Sequence, residues 1–319
     1  MNKYERLSVR RRLGLEIARK MQDELIEEHP LKQLFWECTL RCNLHCRHCG
    51  SDCKKVSDRP DMPKEVFLNV LDTIAQKTDP HKVFVIVTGG EPLMREDLEE
   101  CGAAIYQKGF PWGMVTNGLY LSHERFQRLL AAGLHTATVS LDGFAQEHNW
   151  MRGHSHSFDK AVNAIKCMAE TPGFIFDVVT CANNRNFPYL EELKEFLIEN
   201  GVKRWRIFTI FPVGRAANDP DLQLSGERFR EVMEFIKRSR KEGRIHVSYG
   251  CEGFLGNYEG EVRDHFFSCQ AGITVGSVLI NGAISGCPSI RADYHQGNIY
   301  EDDFMEVWER KFYPHRHPF

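Results

Sequence analysis

Apolar and polar positions along this chain change period repeatedly, and each change marks an element. From Tyr4 to Glu28, the residues Leu7, Leu13, Ile17, Met21 and Leu25 recur at helical spacing among charges, ending near His29-Pro30. This predicts one amphipathic helix packed on the domain, its basic Arg10-Arg11-Arg12 turned to water. Lys32 to Thr39 reads as a strand, and strand and helix patterns then alternate. Further strands are expected at Val83–Thr88, Trp112–Thr116, Thr136–Leu141, Phe174–Cys181 and Trp205–Phe211. Helices are expected at Arg95–Lys108, Ser122–Ala132 with a Ser cap, Phe158–Glu170, and Phe187–Asn200 with Gly201 as its stop. Six βα-type strands predict an α/β partial (βα)6 TIM-like barrel, whose active site belongs at the C-terminal ends of the strands.

After a charged helix at Glu227–Lys241 the texture changes to short strands and glycine-rich turns. Val275–Ile280 and Ala283–Ser285 flank an Asn281-Gly282 hairpin turn. The expected division is therefore residues 1–30 as an N-terminal helix, 31–243 as the barrel and 244–319 as a small hairpin and helix extension.

The polar and glycine-rich residues fall at the predicted strand ends. The second strand ends in Thr88-Gly89-Gly90-Glu91-Pro92, the third in Thr116-Asn117-Gly118 and the fourth in Ser140-Leu141-Asp142-Gly143. The first delivers Cys42-x3-Cys46-x2-Cys49, three cysteines in eight residues. Three thiolates cannot close a four-coordinate site, but they can ligate three irons of a 4Fe-4S cube and leave the fourth open. A zinc knuckle is the alternative, since His45 and His48 add soft ligands, although zinc ligands usually arrive as two separated pairs.

Composition narrows the field. The chain has 319 residues, 42% of them hydrophobic, enough for a large core. A net charge of −3 with no long basic run disfavours nucleic-acid backbones as partners. The 11 cysteines sit behind a polar, Arg-rich N-terminus with no apolar signal core or long apolar segment. They are read as cytosolic thiols and metal ligands, and a cytoplasmic location is expected. Cys101 and Cys167 are expected as buried structural thiols, Cys38 and Cys53 as bystanders of the cluster loop.

The cysteine spacing, with Leu44 and His48 between the ligands, resembles the signature of the radical S-adenosylmethionine (SAM) superfamily. The resemblance implies a 4Fe-4S cluster on Cys42, Cys46 and Cys49, with SAM chelating the open iron. Reductive cleavage then yields a 5'-deoxyadenosyl radical that abstracts a substrate hydrogen, the electron coming from a reductant such as flavodoxin or ferredoxin. His48 stands where relatives carry an aromatic near the adenine. Gly89, Gly90 and Glu91 resemble the motif at the SAM amino group, where glycines let main chain approach a ligand and Glu91 accepts from an ammonium. Ser140, Asp142 and Arg152 match positions that contact the SAM carboxylate or ribose, a role a guanidinium suits. No catalytic residue beyond the cluster ligands can be named.

Cys269 and Cys287 bracket the Asn281-Gly282 hairpin, and this resembles the start of a SPASM or twitch extension carrying an auxiliary Fe-S cluster, with Cys251 as a third ligand. No cysteine follows Cys287, so either the chain ends before the further cysteine group that such an extension carries, which is the favoured expectation, or the auxiliary site is incomplete. The whole is similar to radical SAM/SPASM proteins paired with bacterial lipoproteins. The first expectation is hydrogen abstraction from a peptide or protein. The alternatives are a small-molecule enzyme of haem or cofactor biosynthesis, and a non-catalytic Fe-S or zinc scaffold.

Overall fold

A helix, α1 (Val9–Glu28), leads into strand β1 (Gln33–Thr39) in the computed structural model, which describes residues 8–250, 253–289 and 294–317. The cysteine loop follows, then α2 (Lys64–Ala75), β2 (Phe84–Gly89), α3 (Leu98–Gln107), β3 (Trp112–Thr116), α4 (His123–Ala131) and β4 (Leu134–Ser140). Two helices, α5 (Ala145–Arg152) and α6 (Ser157–Ala169), precede β5 (Ile175–Cys181). After them come α7 (Leu190–Glu199), β6 (Arg204–Phe208), α8 (Gly226–Glu242) and β7 (His246–Tyr249). The chain closes with β8 (Val275–Val278), β9 (Ala283–Ser285), β10 (Gly297–Asn298) and α9 (Phe304–Arg310).

The described strands form one ten-stranded sheet, in the order β10-β9-β8-β1-β2-β3-β4-β5-β6-β7. Pairing is parallel from β8 through β7, and antiparallel where β9 and β10 join. Parallel strands with crossover helices require both faces covered, and side chains alternate between the helix layer and the lumen. On β1, Trp36 stacks on Phe67 of α2 with ring centroids 4.4 Å apart, so its neighbours Phe35 and Glu37 face inward. The result is an α/β partial TIM-like barrel.

Several elements differ from the sequence reading. Helices α2 and α5 were not anticipated, although Phe67, Val70, Leu71 and Ile74 of α2 are buried at helical spacing. The parallel barrel runs one strand past the expected six, because β7 pairs with β6. β6 stops at Phe208, and Phe211 is exposed. The hairpin joins the barrel sheet itself through parallel pairing of β8 with β1, and Glu37 accepts a hydrogen bond from the Ile280 N–H at 3.0 Å. The apolar line of α1 points away from the protein: Leu13, Ile17 and Met21 are 61%, 52% and 59% exposed. Its inner face instead sets Gly14 against the Phe266 ring and pairs Arg11 with Glu261 at 2.7 Å. No helix among the described residues is long and apolar enough to cross a membrane.

Candidate active site

The end of β1 delivers the cysteine loop onto the C-terminal ends of β2 to β5, and four anchors hold it there. The Cys42 N–H donates to the Lys54 carbonyl at 2.8 Å, closing the loop on itself. The His45 and Arg47 N–H groups donate to the carbonyls of Arg152 (3.3 Å) and Met151 (2.8 Å) at the end of α5. Arg215, beyond β6, donates to the carbonyls of Cys46 (2.7 Å) and Cys53 (3.1 Å) and pairs with Asp52 (2.6 Å). Finally, Gly90 and Glu91 donate N–H bonds to the carbonyls of Thr39 (2.7 Å) and Arg41 (2.9 Å).

The fourth anchor explains the two glycines. A Cβ at Gly89, whose φ is +138°, would lie 2.1 Å from the Thr39 carbonyl oxygen, and one at Gly90 would lie 2.3 Å from that of Arg41. Their lack of a side chain is therefore demanded by the cysteine loop itself. Glu91 is likewise turned inward: its carboxylate accepts from the Leu93 N–H (3.1 Å), the Thr116 hydroxyl (2.7 Å) and the Asn117 N–H (2.7 Å). Burial outweighs these donors and raises its pKa. The carboxylate thus locks the end of β2 to the end of β3.

Two of the cysteine sulfurs receive a side-chain donor: the Asn117 amide lies 3.9 Å from the Cys42 sulfur and the Arg152 guanidinium 3.8 Å from that of Cys46. The neighbouring Cys53 thiol brings the Cys49 thiol down to about 5, whereas burial pushes Cys42 up to about 12. Cys53 packs against Cys42, Leu44 and Cys46 and so belongs to the site, contrary to the bystander role expected of it. Its spacing from Cys49 was the available signal. Cys38 lies on the helix side instead, its carbonyl accepting from Arg95 at 2.8 Å.

Behind the loop, Asp142 is fully buried. It accepts from Arg152 (2.7 Å) and from the Cys181 N–H (2.9 Å), and its own N–H donates to His148 Nδ1 (3.0 Å). Burial would raise its carboxyl, but Arg152, His48 and His148 outweigh burial and hold it low. Donor atoms of His48, Asp142 and Cys181 all lie within 4.8 Å of one another. Burial lowers the pKa of His48 to about 4, and its buried Nδ1 has no hydrogen-bond partner. Half-buried Ser140 ends β4. Arg152 spends Nε and Nη2 on Asp142, so the bidentate pairing expected with a ligand carboxylate is made internally. Of the second cysteine set, Cys269 is exposed, Cys287 is half-buried, and Cys251 lies outside the described residues.

The donor set can be tested against the metal it would hold. Cys42, Cys46 and Cys49 offer three thiolates from one loop, one donor short of a closed tetrahedral site and the right number for three irons of a cube. The residues fit a 4Fe-4S cluster with one iron left open.

Comparison with known proteins agrees with this geometry. Residues 36–206 match the model of the radical SAM superfamily, and the chain belongs to that superfamily. It is an enzyme of that class, and membership implies SAM and a 4Fe-4S cluster. An AdoMet-dependent heme synthase of Nitratidesulfovibrio vulgaris is 26% identical, over 88% of this chain and 79% of the relative. The mycofactocin maturase MftC of Mycolicibacterium smegmatis is 28% identical, over 86% and 69%. Among solved structures, Streptococcus suis SuiB bound to S-adenosylmethionine shares the fold with a TM-score of 0.71, at 19% identity over 98% of this chain and 74% of that one.

Proposed function

We propose that Cys42, Cys46 and Cys49 hold a 4Fe-4S cluster at which SAM is cleaved reductively, and that the enzyme abstracts hydrogen from a substrate bound at the barrel mouth. The single observation carrying this is that the sulfurs of Cys42 and Cys46, in the loop that carries all three cysteines, each meet a side-chain donor, Asn117 and Arg152. Donors to thiolate sulfur spread negative charge and orient the ligands, the role of outer partners in metal sites. When bound, cluster and SAM together supply the radical chemistry, and the protein supplies placement and exclusion of water. Gly89 and Gly90 permit the close packing of the loop, Glu91 fixes two strand ends, and Asp142 holds Arg152 against Cys46. His48 and Ser140 remain the side chains proposed to meet SAM. Anaerobic reconstitution with iron and sulfide, then dithionite and SAM, should yield 5'-deoxyadenosine, and Cys46→Ala should abolish it. Well-loaded wild type that made none would overturn the reading.

For the substrate, we infer a small molecule of tetrapyrrole type, on the support of relatives named AdoMet-dependent heme synthase and Fe-coproporphyrin III synthase. The peptide reading has its own support in the mycofactocin maturase relative, and product analysis separates the two. An auxiliary iron-sulfur site of SPASM or twitch type on Cys251, Cys269 and Cys287 is the finer part of the proposal. Its support is the β8–β9 hairpin that Cys269 and Cys287 bracket. No disulfide occurs among the described cysteines, which suits a reducing compartment.

A further inference from the structure

Of the five tryptophans, four are fully buried and one is not. The exception is Trp150, half-buried near the end of α5. Its indole shares an apolar cluster with Met151, Ile210, Leu222 and Cys181, and Cys181 also borders the pocket of His48 and Asp142. Two guanidinium groups stack on this one ring: Arg47 at 4.4 Å and Arg185 at 4.2 Å from its centroid.

These two cations differ in one respect. Arg47 is neutralised by Asp219, with its Nε at 3.0 Å and Nη2 at 2.9 Å from one carboxylate oxygen. Arg185 makes no side-chain hydrogen bond or ion pair among the described residues; only its backbone is tied down, by an N–H bond to Asn183 Oδ1 at 2.9 Å. The same loop is anchored through Asn186, whose amide donates to the Asp142 carbonyl at 2.8 Å. The guanidinium is thus held in place by stacking and by its loop, partly stripped of water, beside a second positive charge, with no anion against it. Stacking occupies its face and leaves its edge of N–H donors for a planar, bidentate acceptor.

We propose that Arg185, with Trp150 and Arg47, forms a carboxylate-binding subsite at the mouth of the barrel that holds an acidic group of the substrate. One unpaired guanidinium matches one carboxylate in charge and fork geometry. The indole provides a flat apolar wall for the conjugated or aliphatic part beside that carboxylate. The inference rests on the radical SAM reading, which places the reacting carbon of the substrate near the same strand ends.

The test uses coproporphyrin III, a porphyrin with four carboxylates, titrated anaerobically into the full chain and followed by its Soret absorbance. Quenching of Trp150 fluorescence, absent in Trp150→Phe, reports contact at the subsite. Arg185→Gln should raise the dissociation constant about tenfold or more, the range for losing a charged hydrogen bond. Arg185→Lys should recover part of the loss, which a misfolded variant would not do. A parallel arm uses an acidic peptide ending in a free carboxylate and the same peptide as its amide. If only the free-acid peptide binds in an Arg185-dependent way, the subsite stands with a peptide as its source. Equal binding of both probes to wild type and Arg185→Gln overturns the subsite. SAM cleavage by wild type is assayed separately, so failure of the enzyme reading shows as missing 5'-deoxyadenosine whatever the binding result.

Discussion

The two cysteine sets of this chain lie at the ends of different elements, and they are built differently. Around the first, two cysteines are buried and their sulfurs each have a donor, and Arg215, Arg152 and Gly90 clamp the loop from three directions. Around the second, Cys269 is exposed and Cys287 is half-buried. The first loop is organised by the protein's own contacts, and a metal proposed at the second set would have to organise that region itself. Spacing alone cannot reveal that difference, because preorganisation lives in the residues that touch the ligands.

The largest effect should come from cutting the first set. Cys46→Ala is expected to remove the iron of that site and to lower 5'-deoxyadenosine formation by at least about a thousandfold, since the electron path is gone. Iron analysis and chromatography of the reconstituted variant check it. Iron retained at the wild-type level would mean that Cys53, packed beside Cys42 and Cys46, can stand in as a ligand.

Next comes the support behind the loop. Asp142→Asn leaves Arg152 buried without its counter-charge and should cost about 3–5 kcal/mol in chemical denaturation of the metal-free chain. The sign of its pH dependence follows from the depressed carboxyl. Such a group contributes its full stabilisation above the unfolded pKa and loses it as pH falls through the folded one. The cost of the substitution should therefore match at pH 6 and pH 8 and shrink only below the ordinary aspartate value of about 3.9. A cost that shrank between pH 8 and pH 6 would mean that the pair does not hold Asp142 ionised.

Gly90→Ala probes the clamp itself. The added methyl would fall 2.3 Å from the Arg41 carbonyl oxygen, with the carbonyl carbons of Arg41 and Leu40 at 2.8 and 2.9 Å. Backbone cannot swing aside as a side chain can, so β2 and the cysteine loop must separate, at a cost of about 1–3 kcal/mol. Thermal denaturation should show the loss, and iron loading should fall with it. An unchanged midpoint would remove the preorganisation argument for the first set.

The contrast also marks what the amino-acid sequence made legible. Six barrel strands, the Ser122 cap, the Gly201 stop and the Asn281-Gly282 turn follow from local chemistry, and each is present, the sixth strand ending three residues early at Phe208. The clustering of polar residues at strand ends was visible for the same reason. Helix α5 was not, because it is short and buries Glu147, His148 and Arg152, which no apolar period can announce. Arg215 was invisible too, since its partners are backbone carbonyls some 160 residues earlier in the chain. Glu91 was legible but its ties to Thr116 and Asn117 were not, because a strand-end carboxylate reads alike whether it meets a ligand or a neighbouring strand. The outward line of α1 has a similar cause: periodicity shows that one face is apolar and not where that face points.

The smallest structural effect should come from the second set, and it carries the sharpest test of the contrast. Cys269→Ser alters an exposed side chain, so the metal-free chain should lose no more than about 0.5 kcal/mol. If metal organises this region, the same substitution should cost the reconstituted protein roughly four irons, the content of one 4Fe-4S cluster. Iron and sulfide per chain, measured beside Cys46→Ala, separate the two sites because each variant removes a different share. Stability without metal and iron with metal then move independently at Cys269, whereas at Cys46 the loop is already held by Arg152 and Arg215. Wild-type iron content in Cys269→Ser would make this cysteine a surface thiol, and the hairpin would stand on its pairing with β1 and the Glu37–Ile280 bond alone.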